Sequence, residues 1–300
     1  MPQTITPALL QDINTLYQTI FNGAMEGVES SWRKIAIPVP STSKKNVYPW
    51  LATTPGIREW IGERFIHSLE KDAFELVNQK WEETISVDRD DIEDDQAGLY
   101  GPAVAILGED AAQHPDDMVW PLLPGGFTSL CFDGQFFFDT DHPVKDKNGV
   151  EQSVSNHMGG AGTAWYLLDT TKTRKPFIYQ TRTEAQFDAL NNPTDPNVFM
   201  QDKFLWGLRM RNTAGYAFWQ TAMASKQTLD TANFNAAYAA MLELRGEYGK
   251  KLNIKPNLLV VPASLRDAAN EVVVSERLAN GATNTNRNVV EVHVEGRLAA

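Results

Sequence analysis

This sequence lacks the materials for several common architectures. A single cysteine, Cys131, stands among 300 residues. That excludes a disulfide framework and a Cys-based zinc site within one chain. No apolar run approaches the ~18 residues of a membrane span. Met1 is followed by no charged-then-apolar leader, which argues against a secretory signal. Positive charge is scarce: 27 Lys and Arg face 38 Asp and Glu, for a net charge of −11. A chain built to grip nucleic-acid phosphates needs clustered Lys and Arg. What remains is a globular composition, 42% apolar and 22% charged, enough for one large domain or two ordinary ones. Aromatics are plentiful, with eight Trp, eight Tyr and fourteen Phe. They could fill a core or bind neighbours.

Thr6-Pro7 opens a helix, since Thr can cap and Pro at the first helical position loses nothing. Leu9, Ile13, Leu16 and Ile20 follow at helical spacing. Residues 36–56 then hold Pro38, Pro40, Pro49, Pro55 and Gly56, a stretch that reads as extended. The helix is therefore expected on a long arm that reaches a neighbouring subunit. Ile57–Leu69 and Phe74–Val87 read as a two-stranded projection, which needs cover to be stable. Residues 82–95 carry eight acidic side chains, without the glycine and closing Glu of a calcium loop. Acidic residues favour the first turn of a helix, here expected over about 90–112 with a stripe of Leu99, Ala103, Ile106 and Leu107 and a kink at Pro102.

Asp133-Gly134 reads as a hairpin turn. Asp139, Asp141 and His142 lie close enough in sequence to serve a metal-dependent hydrolase. The competing reading is a polar turn whose Asp side chains bond their own backbone. Near residues 205–211, period two puts Leu205, Gly207, Arg209 and Arg211 on one face, with Trp206, Leu208 and Met210 on the other. A turn is expected near 212–215. From residue 226 the pattern becomes α/β: a helix capped by Asp230 or Thr231, the apolar strand Leu258–Val261, a second helix from Ser264, and a strand over Val289–Val294.

Ser31-Trp32-Arg33-Lys34-Ile35-Ala36, Arg58-Glu59-Trp60-Ile61-Gly62 and Arg89-Asp90-Asp91-Ile92-Glu93-Asp94-Asp95 resemble stretches of the major head subunit (gpT) family of Mu-like bacteriophages and prophages. The most specific block is Asp133-Gly134-Gln135 with Phe137-Phe138-Asp139 and His142-Pro143. Trp165-Tyr166-Leu167-Leu168-Asp169-Thr170, Lys175-Pro176, Ala214-Gly215-Tyr216, Phe218-Trp219-Gln220 and Lys255-Pro256-Asn257 through Pro262 continue it. The end, Glu295 to Ala300, departs from the proline-containing closing strand expected of the family.

The resemblance implies an α+β Hong Kong 97-like capsid fold. Its expected parts are an N-terminal arm (1–50), an extended loop (β-hairpin, 51–89), a peripheral domain with a spine helix (90–225), and an axial-domain module (226–300). Strands within 165–224 are expected in the peripheral domain, with the module order permuted. The implied function is a major capsid protein that self-assembles into pentamers and hexamers, forming the icosahedral head around phage double-stranded DNA. Its partners would be itself, the portal and other head proteins. It would enclose DNA without sequence-specific binding, use no membrane or cofactor, catalyse nothing, and assemble in the bacterial host cytoplasm before residing in the virion. Trp32, Trp50, Trp60 and Phe65 are the candidate intersubunit anchors, because buried aromatics carry much of an interface's energy. Arg58, Glu63 and Arg64 are candidate intersubunit ion pairs. No reactive Lys, acceptor Asn and catalytic carboxylate can be picked out, so no covalent crosslink is expected. The alternatives are the metal-dependent hydrolase at Asp139/Asp141/His142, or a minor phage structural protein for decoration or scaffolding.

Overall fold

The computed structural model describes residues 4–48, 51, 74–94, 96–278 and 281–298. Helix α1 (Pro7–Gly27) starts where the sequence places it: the Leu9 amide donates to the Thr6 hydroxyl at 3.2 Å. Strands β1 (Ala36–Pro40), β2 (Lys45–Tyr48), β3 (Phe74–Val77) and β4 (Gln79–Asp88) follow. The acidic run forms only a short helix, α2 (Arg89–Glu93), and a 3-10 turn leads into α3 (Gly101–Val119). The helix expected over 90–112 is thus displaced toward the C-terminus. Pro102 does not kink it but occupies its first turn, where the missing N–H costs nothing. Its buried stripe is Val104, Leu107, Gly108 and Ala111, while Leu99 and Ile106 face outward.

After the four-residue α4 (Leu122–Gly125) come strands β5 (His142–Lys145), β6 (Glu151–Val154), β7 (His157–Gly160), β8 (Trp165–Leu168) and β9 (Phe177–Leu190). Helix α5 (Pro196–Gln201) links β9 to β10 (Lys203–Tyr216), and β11 (Ala222–Lys226) follows. Helix α6 (Thr231–Glu243) is capped by Asp230, whose carboxylate accepts from the Asn233 amide at 2.8 Å. The two-residue strands β12 (Arg245–Gly246) and β13 (Lys250–Lys251) precede β14 (Leu258–Val261), α7 (Arg266–Val273) and β15 (Glu291–Val294).

Two sheets organise these elements. The first has the order β1-β9-β10-β4, with β9 and β10 paired antiparallel along 14-residue strands. One face lies under α1 and α3. There Leu10, Ile13, Tyr17 and Phe21 of α1 meet Val104 and Leu107 of α3 and Phe204, Trp206 and Leu208 of β10. Tyr17 packs edge-on to Trp206 at 5.0 Å between ring centroids. The expected alternation along β10 is observed: Trp206, Leu208 and Met210 are buried, while Leu205, Gly207, Arg209 and Arg211 are not. The turn expected near 212–215 is instead continuous strand, with register shifts at Arg209/Arg211 and Arg211/Asn212.

The N-terminal segment is not a free arm. Helix α1 packs on this chain's own α3, so closely that a Cβ on Gly108 would lie 2.5 Å from the Phe21 carbonyl oxygen. The proline-rich stretch contains an edge strand, β1, parallel to β9. The Phe177 amide donates to the Ile35 carbonyl, and the Ser41 amide to the Thr181 carbonyl. By that alternation the nitrogens of Pro38 and Pro40 face away from β9, where a missing donor costs no ladder bond.

The second sheet has the order β15-β14-β8-β11-β7. Strands β8 and β14 are buried along their whole length, as continuous apolar runs require when both faces are covered. Here the expected division at residue 226 fails. Strand β8, which precedes that residue, and β11, which ends on it, share one sheet with β14 and β15. Residues 165–224 therefore feed both sheets, and only β9 and β10 belong to the first. The aromatic surplus is largely core: Trp120, Trp165, Trp206, Trp219, Tyr166 and Phe137 are all fully buried.

Candidate assembly surface

The first sheet has a second face, opposite α1 and α3. Antiparallel partners share a face, so Glu82 and Thr84 of β4 align with Arg209 and Gly207 of β10. Asp188 and Leu190 of β9 align with Gly207 and Leu205. Glu82, Thr84, Asp188, Leu190 and Arg209 are exposed. Gly207, without a side chain, leaves a shallow trough of about 290 Å³ between Thr84, Asp188 and Arg209. Charges of both signs line it. Such a face suits matched contact with another protein surface better than binding to a polyanion.

At the far end of this sheet, α5 turns one side chain in and two out. Val198 is buried with Phe204 in the core beneath α1. Phe199 and Met200 are 85% and 75% exposed. The helix closes at Asp202, in the left-handed region at φ 55°, and the Asp202 carbonyl accepts from the Arg89 amide at 3.0 Å. Leu99, 73% exposed, and Ile106 also face outward, just before and within the start of α3. Side chains of this size left in water are a marker of protein contact when they cluster.

The hairpin root is fixed by a buried polar clamp. Strands β2 and β3 pair antiparallel. The Asn78 amide group donates to the Ser41 hydroxyl and the Ser43 carbonyl, each at 2.9 Å. Gln180 donates to Asn78 Oδ1 at 2.8 Å, and the Tyr48 hydroxyl donates to Gln180 Oε1. Residues Trp50, Arg58, Trp60, Glu63, Arg64 and Phe65 lie outside the described residues. Trp32 is described, and it sits in this chain's own core at 4% exposure. Its ring packs on Tyr179 at 4.6 Å, and the Arg33 guanidinium lies 4.5 Å above it. Its amide donates to Asp116 at 2.6 Å. An aromatic beside a proline-rich segment looked like an anchor for a neighbour; the buried carboxylate 84 positions away that holds it gave no local signal.

Asp139 and Asp141 hydrogen-bond to each other, but His142 does not join them. Asp139 accepts from the Thr140 amide at 2.7 Å and the Phe136 amide at 3.2 Å, as the polar-turn reading expects. Asp141 is exposed, and its hydrogen bond with Asp139 pushes its carboxyl above the ordinary range. His142 turns inward and is fully buried. Its ring stacks on Trp219 at 3.9 Å. Its Nδ1 lies 2.7 Å from Asp133 Oδ2 and its Nε2 3.3 Å from Asn156 Oδ1. Burial alone would raise Asp133; hydrogen bonds from His142 and Cys131 outweigh it and hold the carboxylate low. The sequence marked Asp133 only as a turn residue, so its pairing with His142 was not anticipated.

The chain matches the family model of the Mu-like prophage major head subunit gpT over residues 10–298. The major capsid protein of Escherichia phage Mu is 38% identical over 285 residues, covering 93% of each chain. The Mu-like prophage FluMu major head subunit of Haemophilus influenzae is 38% identical over 279 residues, covering 91% of each. Among solved structures, the procapsid of bacteriophage JBD30 aligns with 98% of this chain and 100% of its own at a TM-score of 0.87 and 43% identity. The capsid of the same phage aligns with 99% of this chain and 100% of its own at a TM-score of 0.78 and 32% identity. The match runs nearly from end to end, in sequence and in fold, and the chain belongs to the Mu-like prophage major head subunit gpT family, major capsid proteins of phage heads with a Hong Kong 97-like fold.

Proposed function

We propose that copies of this chain associate into pentamers and hexamers that close into an icosahedral shell around double-stranded DNA. The observation that carries this is the full-length correspondence with the chain of the JBD30 procapsid. Heterologous contacts that close generate rings, and further contacts join rings into a shell. No single contact needs to be strong, because each subunit makes several. The face of the first sheet opposite α1 and α3 and the exposed Phe199 and Met200 supply surface of the required kind.

In this reading the first sheet with α1 and α3 is the peripheral domain, and the second sheet with α6 and α7 is the axial domain. The hairpin rooted at β2 and β3 is the extended loop, with Trp50, Trp60 and Phe65 as anchors on a neighbouring subunit. Arg58, Glu63 and Arg64 add ion pairs at its rim, worth about 0–1 kcal/mol each when exposed. The portal and other head proteins are the further partners, and the host cytoplasm is the place of assembly. One JBD30 capsid structure carries trimers of a minor capsid protein, and this shell would accept an equivalent. The net charge of −11 fits a container that holds DNA without gripping its phosphates, with small cations neutralising them. No described helix is long and apolar enough to cross a membrane. Native mass spectrometry of the concentrated chain tests the reading: pentamers, hexamers and larger closed species support it, and a monomer at every concentration contradicts it.

A further inference from the structure

The one cysteine lies beside the buried histidine. Cys131, Asp133 and His142 present Sγ, a carboxylate oxygen and an imidazole nitrogen within 4.8 Å of one another. Cys131 and Asp133 come from one tight hairpin. The Cys131 amide donates to the Gln135 carbonyl at 2.8 Å, and Gly134 takes the left-handed conformation at φ 83°. His142 opens β5. We propose that these three side chains form a structural site for a zinc-class divalent cation, which ties the 131–135 hairpin to the start of β5.

The donor set is the first argument. Thiolate, imidazole and carboxylate are the three ligand types zinc prefers. The second argument is the arrangement of protons. The Cys131 thiol donates to Asp133 Oδ1 at 2.8 Å, and His142 Nδ1 faces Asp133 Oδ2 at 2.7 Å. Cys131 and His142 therefore meet the two oxygens of one carboxylate, which brings three potential ligands to a single acidic group. In a tetrahedral zinc site, ligand atoms lie about 3.3–3.6 Å apart. The two carboxylate contacts need to widen by less than an ångström, and the three ligand atoms already lie within 4.8 Å of one another.

The third argument lies behind the histidine. A metal-bound imidazole commonly donates its other N–H to a fixed acceptor. His142 Nε2 faces Asn156 Oδ1 at 3.3 Å. Asn156 is itself fully buried, and its amide group donates to the Phe137 and Trp219 carbonyls at 2.8 and 3.3 Å. Its oxygen is thereby committed as acceptor, and the Trp219 ring fixes the plane of the imidazole. The Asp133 side chain retains 11% exposure, which leaves a route for water as the fourth ligand. The counting argument against a Cys-based zinc site holds for thiolate clusters but not for a mixed site with one thiolate. On binding, the thiol releases its proton to solvent as the sulfur–metal bond forms. His142 Nδ1 gives up its proton, or passes it to Nε2, which donates to Asn156. No redox change is involved.

The test loads the unassembled full-length chain, stripped by chelator, with zinc alone. After exhaustive dialysis, metal analysis is expected to give one zinc per chain. The count should fall at least tenfold in Cys131→Ser and in Asp133→Asn, and stay unchanged in Asp141→Asn. Zinc absent from the wild type, or retained by Cys131→Ser and Asp133→Asn, overturns the proposal. If the variants fail to fold, cobalt(II) loaded into the wild-type chain decides. A thiolate-to-cobalt charge-transfer band supports the site, and a spectrum without it overturns the site.

Discussion

Asp116 joins the N-terminal segment to the rest of the chain. Its carboxylate is 3% exposed and accepts from the Trp32 amide at 2.6 Å, the Ser31 amide at 3.1 Å and the Ser30 hydroxyl at 3.0 Å. Trp120 Nε1 also donates to it, at 3.2 Å, but has the Ser31 hydroxyl as a second partner. Truncation by Asp116→Ala leaves the Trp32 donor buried and unpaired and the Ser31 donor half-buried. Unsatisfied donors cost about 1–3 kcal/mol each, and hydrogen bonds to a charged acceptor are worth about 1.5–3. The expected loss is about 3–5 kcal/mol, because Trp120 keeps its alternative partner. Asp116→Asn preserves size and one acceptor and is expected to cost about 1–2 kcal/mol. Urea unfolding of the unassembled subunit measures both values, with the slope m unchanged if only stability moved. An isolated chain then holds its own residues 30–32 against Asp116. A loss below about 1 kcal/mol for Asp116→Ala would show that these contacts form only between subunits.

Gly108→Ala would push a Cβ against the Phe21 carbonyl and within 3.1 Å of Ala24 Cβ. Overpacking of about 1–3 kcal/mol outweighs the ~1 kcal/mol gained in helix propensity, so thermal melting of the subunit should fall by a few degrees, and a rise contradicts the close approach of α1 and α3. Trp60→Ala and the pair Phe199→Ser, Met200→Ser should lower particle yield severalfold by sedimentation while the subunit stays soluble; wild-type yield removes those residues from the interface. Acid should destabilise the subunit through Asp169 and Asp133. Burial raises the Asp169 carboxyl, but hydrogen bonds from Thr171 and the Lys255 amide, with Lys172 nearby, hold it below the usual range. A depressed folded value gives stability that is present above the unfolded carboxylate range and lost as pH falls through the folded one. Asp169→Asn should therefore flatten the acid limb of a stability–pH curve below about pH 4, and an unchanged limb refutes the assignment.

The elements legible in the sequence are those governed by local rules. The Thr6-Pro7 start, the Asp230 cap, the Asp133-Gly134 turn and the alternation along β10 depend on neighbours in sequence, and each is where the residues place it. The elements misread depend on distant partners. Pro38 and Pro40 read as part of an extended arm outside any sheet because a proline removes a ladder donor; only pairing to one side, with β9, makes that harmless. The acidic run around Asp90 suggested a long helix start, yet Pro102 sets the true one at Gly101. Strands β8 and β11 are short apolar runs whose sheet is decided by β14, some ninety residues after β8, and no local pattern specifies that. Of the assembly surface, the sequence exposed the polar face of β10 but not Phe199 and Met200, since nothing in Pro196–Gln201 tells which side of so short a helix faces the core. Much of the aromatic content proved to be core packing, which leaves the interface case to the hairpin and to α5.

Electron microscopy of the purified chain, concentrated without other phage proteins, tests the central claim most directly. The account predicts rings of five and six subunits and closed or partly closed shells, in which the β2–β3 hairpin leaves its own subunit and the face of Glu82, Asp188 and Arg209 meets protein. Dispersed monomers at all concentrations, or assemblies in which neither the hairpin nor that face touches a second copy, would contradict it.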